Sequence, residues 1–77
     1  METVPSSFLE LVGLTCPIPL LRTKKHLRTM GPGEVVKVVA TDPDTRADFD
    51  AFCDGVVCEL LSVSVEGNTL QYLIRKV

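Results

Sequence analysis

The chain has 77 residues, 45% hydrophobic and 23% charged, which is enough apolar material for one packed domain and argues against disorder. Its formal net charge of −2 gives no general electrostatic reason to bind nucleic acid. No apolar run is long enough to cross a bilayer, and residues 1–7 lack the basic start and apolar core of a secretory signal. A cytoplasmic, reducing location is therefore expected, where three cysteines serve as thiols rather than as a disulfide framework. A single domain over residues 1–77 is expected, with residues 1–7 a loosely held polar lead.

Residues 8–12 (Phe-Leu-Glu-Leu-Val) alternate, with Leu9 and Leu11 on one face, and predict a first strand that Gly13 ends. Next comes Leu14-Thr15-Cys16-Pro17-Ile18-Pro19-Leu20-Leu21, a cysteine directly before a Pro-x-Pro step. Proline is tolerated in the first turn of a helix because those N–H groups have no intrahelical acceptor to lose. The spacing predicts a helix with Cys16 as its N-cap and Pro17 as its first residue. Pro17 and Pro19 remove two first-turn donors, which leaves the N–H of Ile18 free to meet the sulfur. A thiol there feels the positive end of the helix dipole, worth roughly 0.3–1 kcal/mol, or less than about one pKa unit. A shift from about 8.5 toward 7.5 multiplies the thiolate share near pH 7 several-fold. Cys16 is thus the candidate reactive residue, with Gly13, Pro17, Ile18 and Pro19 shaping its surroundings.

The helix runs over residues 17–30, with Leu20, Thr23, Leu27 and Met30 near helical spacing and Ile18 and Leu21 widening the apolar stripe. Arg22, Lys24, Lys25 and Arg28 occupy the other face, and Gly31-Pro32-Gly33 ends it. Two solvated helix faces would account for these charges; so would a docking patch beside Cys16 that steers acidic partner surfaces. His26 lies roughly 15 Å along an ideal helix from Cys16, too far to act as its base. That distance argues for a carrier over a Cys-His hydrolase.

Residues 34–40 (Glu-Val-Val-Lys-Val-Val-Ala) predict an inner strand. Asp42 then reads as an N-cap with Pro43 opening a second helix, whose inward stripe is Phe49, Phe52, Cys53 and Val56 and whose terminator is Gly55. Residues 57–66 predict a third strand with Leu61, Val63 and Val65 inward. Gly67-Asn68 is a hairpin pair, and Leu70, Tyr72 and Ile74 resume the alternation. The order β-α-β-α-β-β gives an α/β fold, a two-layer α/β sandwich with a four-stranded mixed sheet and two helices on one face. Cys53 reads as a core thiol and Cys58 as facing either way. A reducing compartment argues against a Cys53–Cys58 redox pair, and no paired-knuckle spacing supports a metal site or any cofactor.

The segment Gly13-Leu-Thr-Cys-Pro-Ile-Pro-Leu resembles the Cys-Pro-x-Pro signature of the TusA (SirA-like) sulfur-carrier family, as do Ala40-Thr-Asp-Pro43 and the closing Tyr72-Leu-Ile-Arg-Lys76. The likeness runs from about Phe8 to the C-terminus. It implies a cytoplasmic sulfurtransferase that acts as a carrier of sulfane sulfur, held as a persulfide or thiosulfonate on Cys16. Implied partners are a donor (a cysteine desulfurase or rhodanese-like protein) and a DsrE/TusD-like acceptor, with neither membrane nor direct nucleic-acid binding, and a monomer is expected. Family end points are transfer RNA thiolation, cofactor synthesis and dissimilatory sulfur oxidation; Leu21-Arg-Thr-Lys-Lys25 with Ala40-Thr-Asp-Pro43 looks closer to members from sulfur oxidisers. Other members often have an acidic residue where Ile18 stands. The competing class is a non-catalytic interaction or RNA-binding module of the same fold, supported by the basic helix and opposed by the net negative charge and four aromatics.

Overall fold

The computed structural model describes residues 4–15, 17–55 and 57–77. Strand β1 (Ser7–Leu11), helix α1 (Ile18–Arg28), strand β2 (Val35–Ala40), helix α2 (Thr45–Phe52) and strands β3 (Cys58–Glu66) and β4 (Thr69–Lys76) follow one another in that order. The sheet order is β1-β2-β4-β3, with β1 parallel to β2 and both other pairings antiparallel. The expected α/β sandwich with a mixed four-stranded sheet is what forms. The valine-rich β2 takes an inner place as expected, with Val36 and Val38 fully buried. Parallel β1 and β2 need a crossover, and α1 supplies it.

One core lies between sheet and helices, built from Leu11, Leu27, Met30, Val36, Val38, Ala40, Phe49, Cys58, Tyr72 and Ile74. Tyr72 meets Phe49 edge-on, with ring centroids 4.6 Å apart and planes at 75°. Its hydroxyl lies 2.7 Å from Thr45 Oγ1, which itself donates to the Asp42 carbonyl at 2.7 Å. The Thr45 hydroxyl has one proton and gives it to the carbonyl, so Tyr72 must be the donor in the first bond. This relay fastens α2 to β4.

Three local expectations need correction. Helix α2 begins at Thr45 with Asp44 at the N-cap, not at Pro43 with Asp42 as cap. Asp42 instead holds the preceding turn, its Oδ1 accepting the Asp44 N–H at 3.0 Å. Strand β3 does not keep one alternation: a register shift between Leu60 and Ser62 makes Leu61 the extra residue of a bulge. Cys58 and Leu60 therefore face inward before the bulge and Val63 after it, while Leu61 is exposed. Val65, expected inward, is 67% exposed. In α1 the inward row is Pro19, Thr23 and Leu27, at i, i+4 and i+8. Ile18 and Leu21 do not widen that row; they are 41% and 57% exposed, rotated off it by roughly one and two 100° steps of the helix.

Candidate functional site

The chain leaves β1 at Leu11 and reaches α1 at Ile18 through a tethered loop. Gly13 sits at φ 82°, a left-handed conformation that a Cβ would strain, and its N–H donates to Thr41 Oγ1 at 2.9 Å. That bond ties the loop to the segment leaving β2. The Leu14 N–H reaches the Leu11 carbonyl at 3.3 Å, and Leu14 packs partly against the core. Leu14 is an anchor that sequence reasoning passed over, although an apolar residue between Gly13 and an exposed Thr15 was the available signal.

The two prolines serve different ends. Pro17 is exposed and occupies the N-cap, with φ −95° and ψ 10°, and its carbonyl accepts the Leu21 N–H at 3.1 Å. Pro19 is fully buried, and its carbonyl also accepts the Thr23 hydroxyl at 2.8 Å. The helix is thereby pinned at its second residue, just past the cysteine in sequence. Helix start and cap are thus one residue later than expected: Pro17, not Cys16, is the N-cap. The Ile18 N–H, expected to be free for the sulfur, donates to the Thr15 carbonyl at 3.0 Å. Cys16 itself lies outside the described residues. Its neighbours Thr15 and Pro17 are both exposed, as are Val12, Ile18 and Leu21. The cysteine is thus flanked in sequence by an apolar, solvent-facing rim, the kind of surface that a partner protein covers. The first turn of α1 carries no acidic residue that would oppose an anion there.

The four basic residues do not make one patch. Arg22 and Lys25 line a cleft of about 250 Å³ with Leu9, His26 and Thr29, on the β1 side. Lys24 and Arg28 line another of about 270 Å³ with Leu27, Phe52, Val57 and Lys76, on the α2 side, and the Lys24 ammonium stands 5.2 Å from the Phe52 ring centroid. Their spacings, i to i+3 and i to i+4, place each pair on its own flank. His26 is bound up with β1, its Nε2 3.0 Å from Ser7 Oγ.

Of the other two cysteines, Cys53 packs partly against the core as expected, and Cys58, whose facing the alternation left open, turns inward. Cys58 is fully buried, Cys53 partly so, both are free thiols, and their Sγ atoms are 3.0 Å apart. Burial pushes both thiols above their ordinary range, with Asp50 and Asp54 adding to the effect at Cys53.

Fold and loop together define a small α/β sandwich whose sequence runs through a proline-flanked cysteine into its first helix. Residues 7–76 match the family described as Sulfurtransferase TusA. The chain belongs to that family. It is 46% identical over 68 residues to the sulfur carrier protein TusA of Allochromatium vinosum, covering 88% of this chain and 90% of that one. It is 42% identical over 75 residues to the sulfur carrier protein TusA of a Pseudomonas putida strain, covering 97% and 94%. In fold it is similar to the crystal structure of a SirA-like protein from Desulfitobacterium hafniense, with a TM-score of 0.77 at 24% identity over 90% of this chain and 95% of that one.

Proposed function

We propose that this chain is a sulfur carrier that accepts sulfane sulfur on Cys16 and passes it to a thiol of a partner protein. The observation that carries the reading is the tethered loop. Gly13 is bonded to Thr41, Pro19 is locked into the core, and the segment between them leads into the N-terminus of an 11-residue helix with exposed residues on either side of the cysteine. The names of the relatives, sulfur carrier proteins, support the same reading.

In the proposed cycle the Cys16 thiolate attacks the outer sulfur of a donor persulfide. The bond from that sulfur to the donor breaks, its electron pair leaves on the donor thiolate, and Cys16 becomes the persulfide. An acceptor thiolate then attacks the outer sulfur and expels the Cys16 thiolate, which restores the start. Both resting states are anions, and the positive end of the α1 dipole favours an anion. Tetrathionate would load the residue by the same attack, leaving a thiosulfonate on Cys16 and expelling thiosulfate.

A cysteine desulfurase or rhodanese-like donor and a DsrE/TusD-like acceptor suit this chemistry, and dissimilatory sulfur oxidation is the end point we favour over transfer RNA thiolation or cofactor synthesis. The chain is proposed to work in the cytoplasm as a single domain and a monomer. Gly13, Pro17, Ile18 and Pro19 shape the loop, and Arg22, Lys24, Lys25 and Arg28 serve docking.

Cys16→Ser tests the proposal. Incubated with a persulfide donor and read by intact mass, the native chain should gain one sulfur atom, removable by reductant. The variant should gain none while its urea unfolding midpoint stays unchanged. Normal sulfur uptake by a folded Cys16→Ser chain would overturn the assignment.

A further inference from the structure

The transfer loop makes no use of Cys53 and Cys58, yet the fold holds them together. Cys53 caps the C-terminal end of α2, its N–H bonded to the Phe49 carbonyl at 2.8 Å. Cys58 opens β3. Between them the Gly55 N–H donates to the Cys58 carbonyl at 3.0 Å, and Asp54 bridges antiparallel to Glu59. Gly55 stands at φ 92°, which lets the chain reverse so tightly. Past the turn, the Val77 N–H holds the Val57 carbonyl at 3.1 Å. Both backbones are therefore fixed, and their side chains face each other across the turn. The 3.0 Å between the sulfurs exceeds a disulfide bond of about 2.05 Å by roughly 1 Å, a gap that side-chain rotation can close.

We propose that Cys53 and Cys58 form a redox pair that closes to a disulfide by exchange with a low-molecular-weight disulfide of the glutathione class. The partly exposed Cys53 reacts first: it gives up its proton, attacks one reagent sulfur and expels one reagent thiolate. Cys58, buried behind it, then loses its proton and attacks the Cys53 sulfur of the mixed disulfide, expelling the second reagent thiolate. The two cysteines lose two electrons, the reagent disulfide gains them, and the two released protons end on its two thiols. Because burial keeps both thiols protonated near neutral pH, closure is slow, which suits a sensor of sustained oxidation rather than a turnover catalyst. The bond staples the end of α2 to the start of β3 and leaves Cys16 as the one thiol in the chain.

The test uses full-length Cys16→Ser, so that these are the only thiols, incubated with excess oxidised glutathione. The expected product has lost two hydrogens, yields a cross-linked fragment containing residues 53 and 58, and unfolds several degrees higher, with reversal by reductant. Cys53→Ser in the same background should form no cross-link. A mixed disulfide that persists on Cys53 would overturn the proposal. So would an unreactive folded chain whose urea-unfolded form does cross-link, or an oxidised form that unfolds no higher than the reduced one. The Cys16→Ser result stands without any substitution in the core, and it is independent of sulfur transfer.

Discussion

The Tyr72–Thr45–Asp42 relay makes a quantitative prediction, because its middle member has one proton to give. In Tyr72→Phe the ring keeps its edge-on contact with Phe49, and the Thr45 hydroxyl still donates to the Asp42 carbonyl. Only one hydrogen bond is lost and no buried donor is stranded, so the cost is about 1 kcal/mol. Thr45→Val differs. It removes the bond to Asp42 and leaves the hydroxyl of a fully buried Tyr72 with no acceptor, for a cost of about 2–3 kcal/mol. Asp42 keeps the Thr45 backbone N–H at 3.1 Å, which is why the cost is no larger. The double variant has no stranded hydroxyl and should be less destabilised than the sum of the singles by about 1–2 kcal/mol. A chain of 77 residues has a stability of roughly 4–12 kcal/mol, so each step is measurable by urea unfolding at fixed pH. If Thr45→Val costs no more than Tyr72→Phe, or the two costs add, the assignment of donors and acceptors is wrong.

Two further predictions follow from charge. Burial raises the thiols of Cys53 and Cys58 in the native state, so above about pH 8.5 the unfolded chain releases thiol protons that the native chain retains, and the raised phenol of Tyr72 adds to this above about pH 10. Stability is full below that pH and falls above it by up to about 1.4 kcal/mol per pH unit for each thiol, and Cys53→Ser should flatten the fall. Urea midpoints that do not move between about pH 8 and 10 would contradict this. Reversing the charges of Arg22 and Lys25 to glutamate should slow sulfur transfer from a protein donor more at low salt than at high salt, whereas equal slowing at both would exclude electrostatic docking through that flank.

Pattern was enough to read the strands and both helices, because Tyr72 and Ile74 in β4 are buried on the face that alternation assigns and the valine run, apolar on both parities, became the inner strand β2. It failed where a local event breaks the period. The extra residue at Leu61 shifts the parity of β3, so nothing upstream of it could show that Cys58 points inward. The Cys-Pro-x-Pro segment was legible as a helix start from proline chemistry, but proline's preference for the first helical position pointed to Cys16 as the cap, whereas Pro17 itself takes the N-cap, so the boundary slipped by one residue. That Pro19 rather than Ile18 faces the core depends on where the sheet lies, which is tertiary information. The approach of Cys53 to Cys58 was likewise out of reach, since it requires the Gly55 turn and the β3 register together.

The bulge at Leu61 also bears on what this small sheet does in crowded solution. Strand β3 is an outer edge, nine residues long, and a straight edge of that length invites a neighbouring chain to add on in register. The doubled residue throws its outward hydrogen-bonding groups out of step with any regular strand, and the opposite edge, β1, is only five residues long. Self-templated stacking into fibrils is thereby discouraged at both rims.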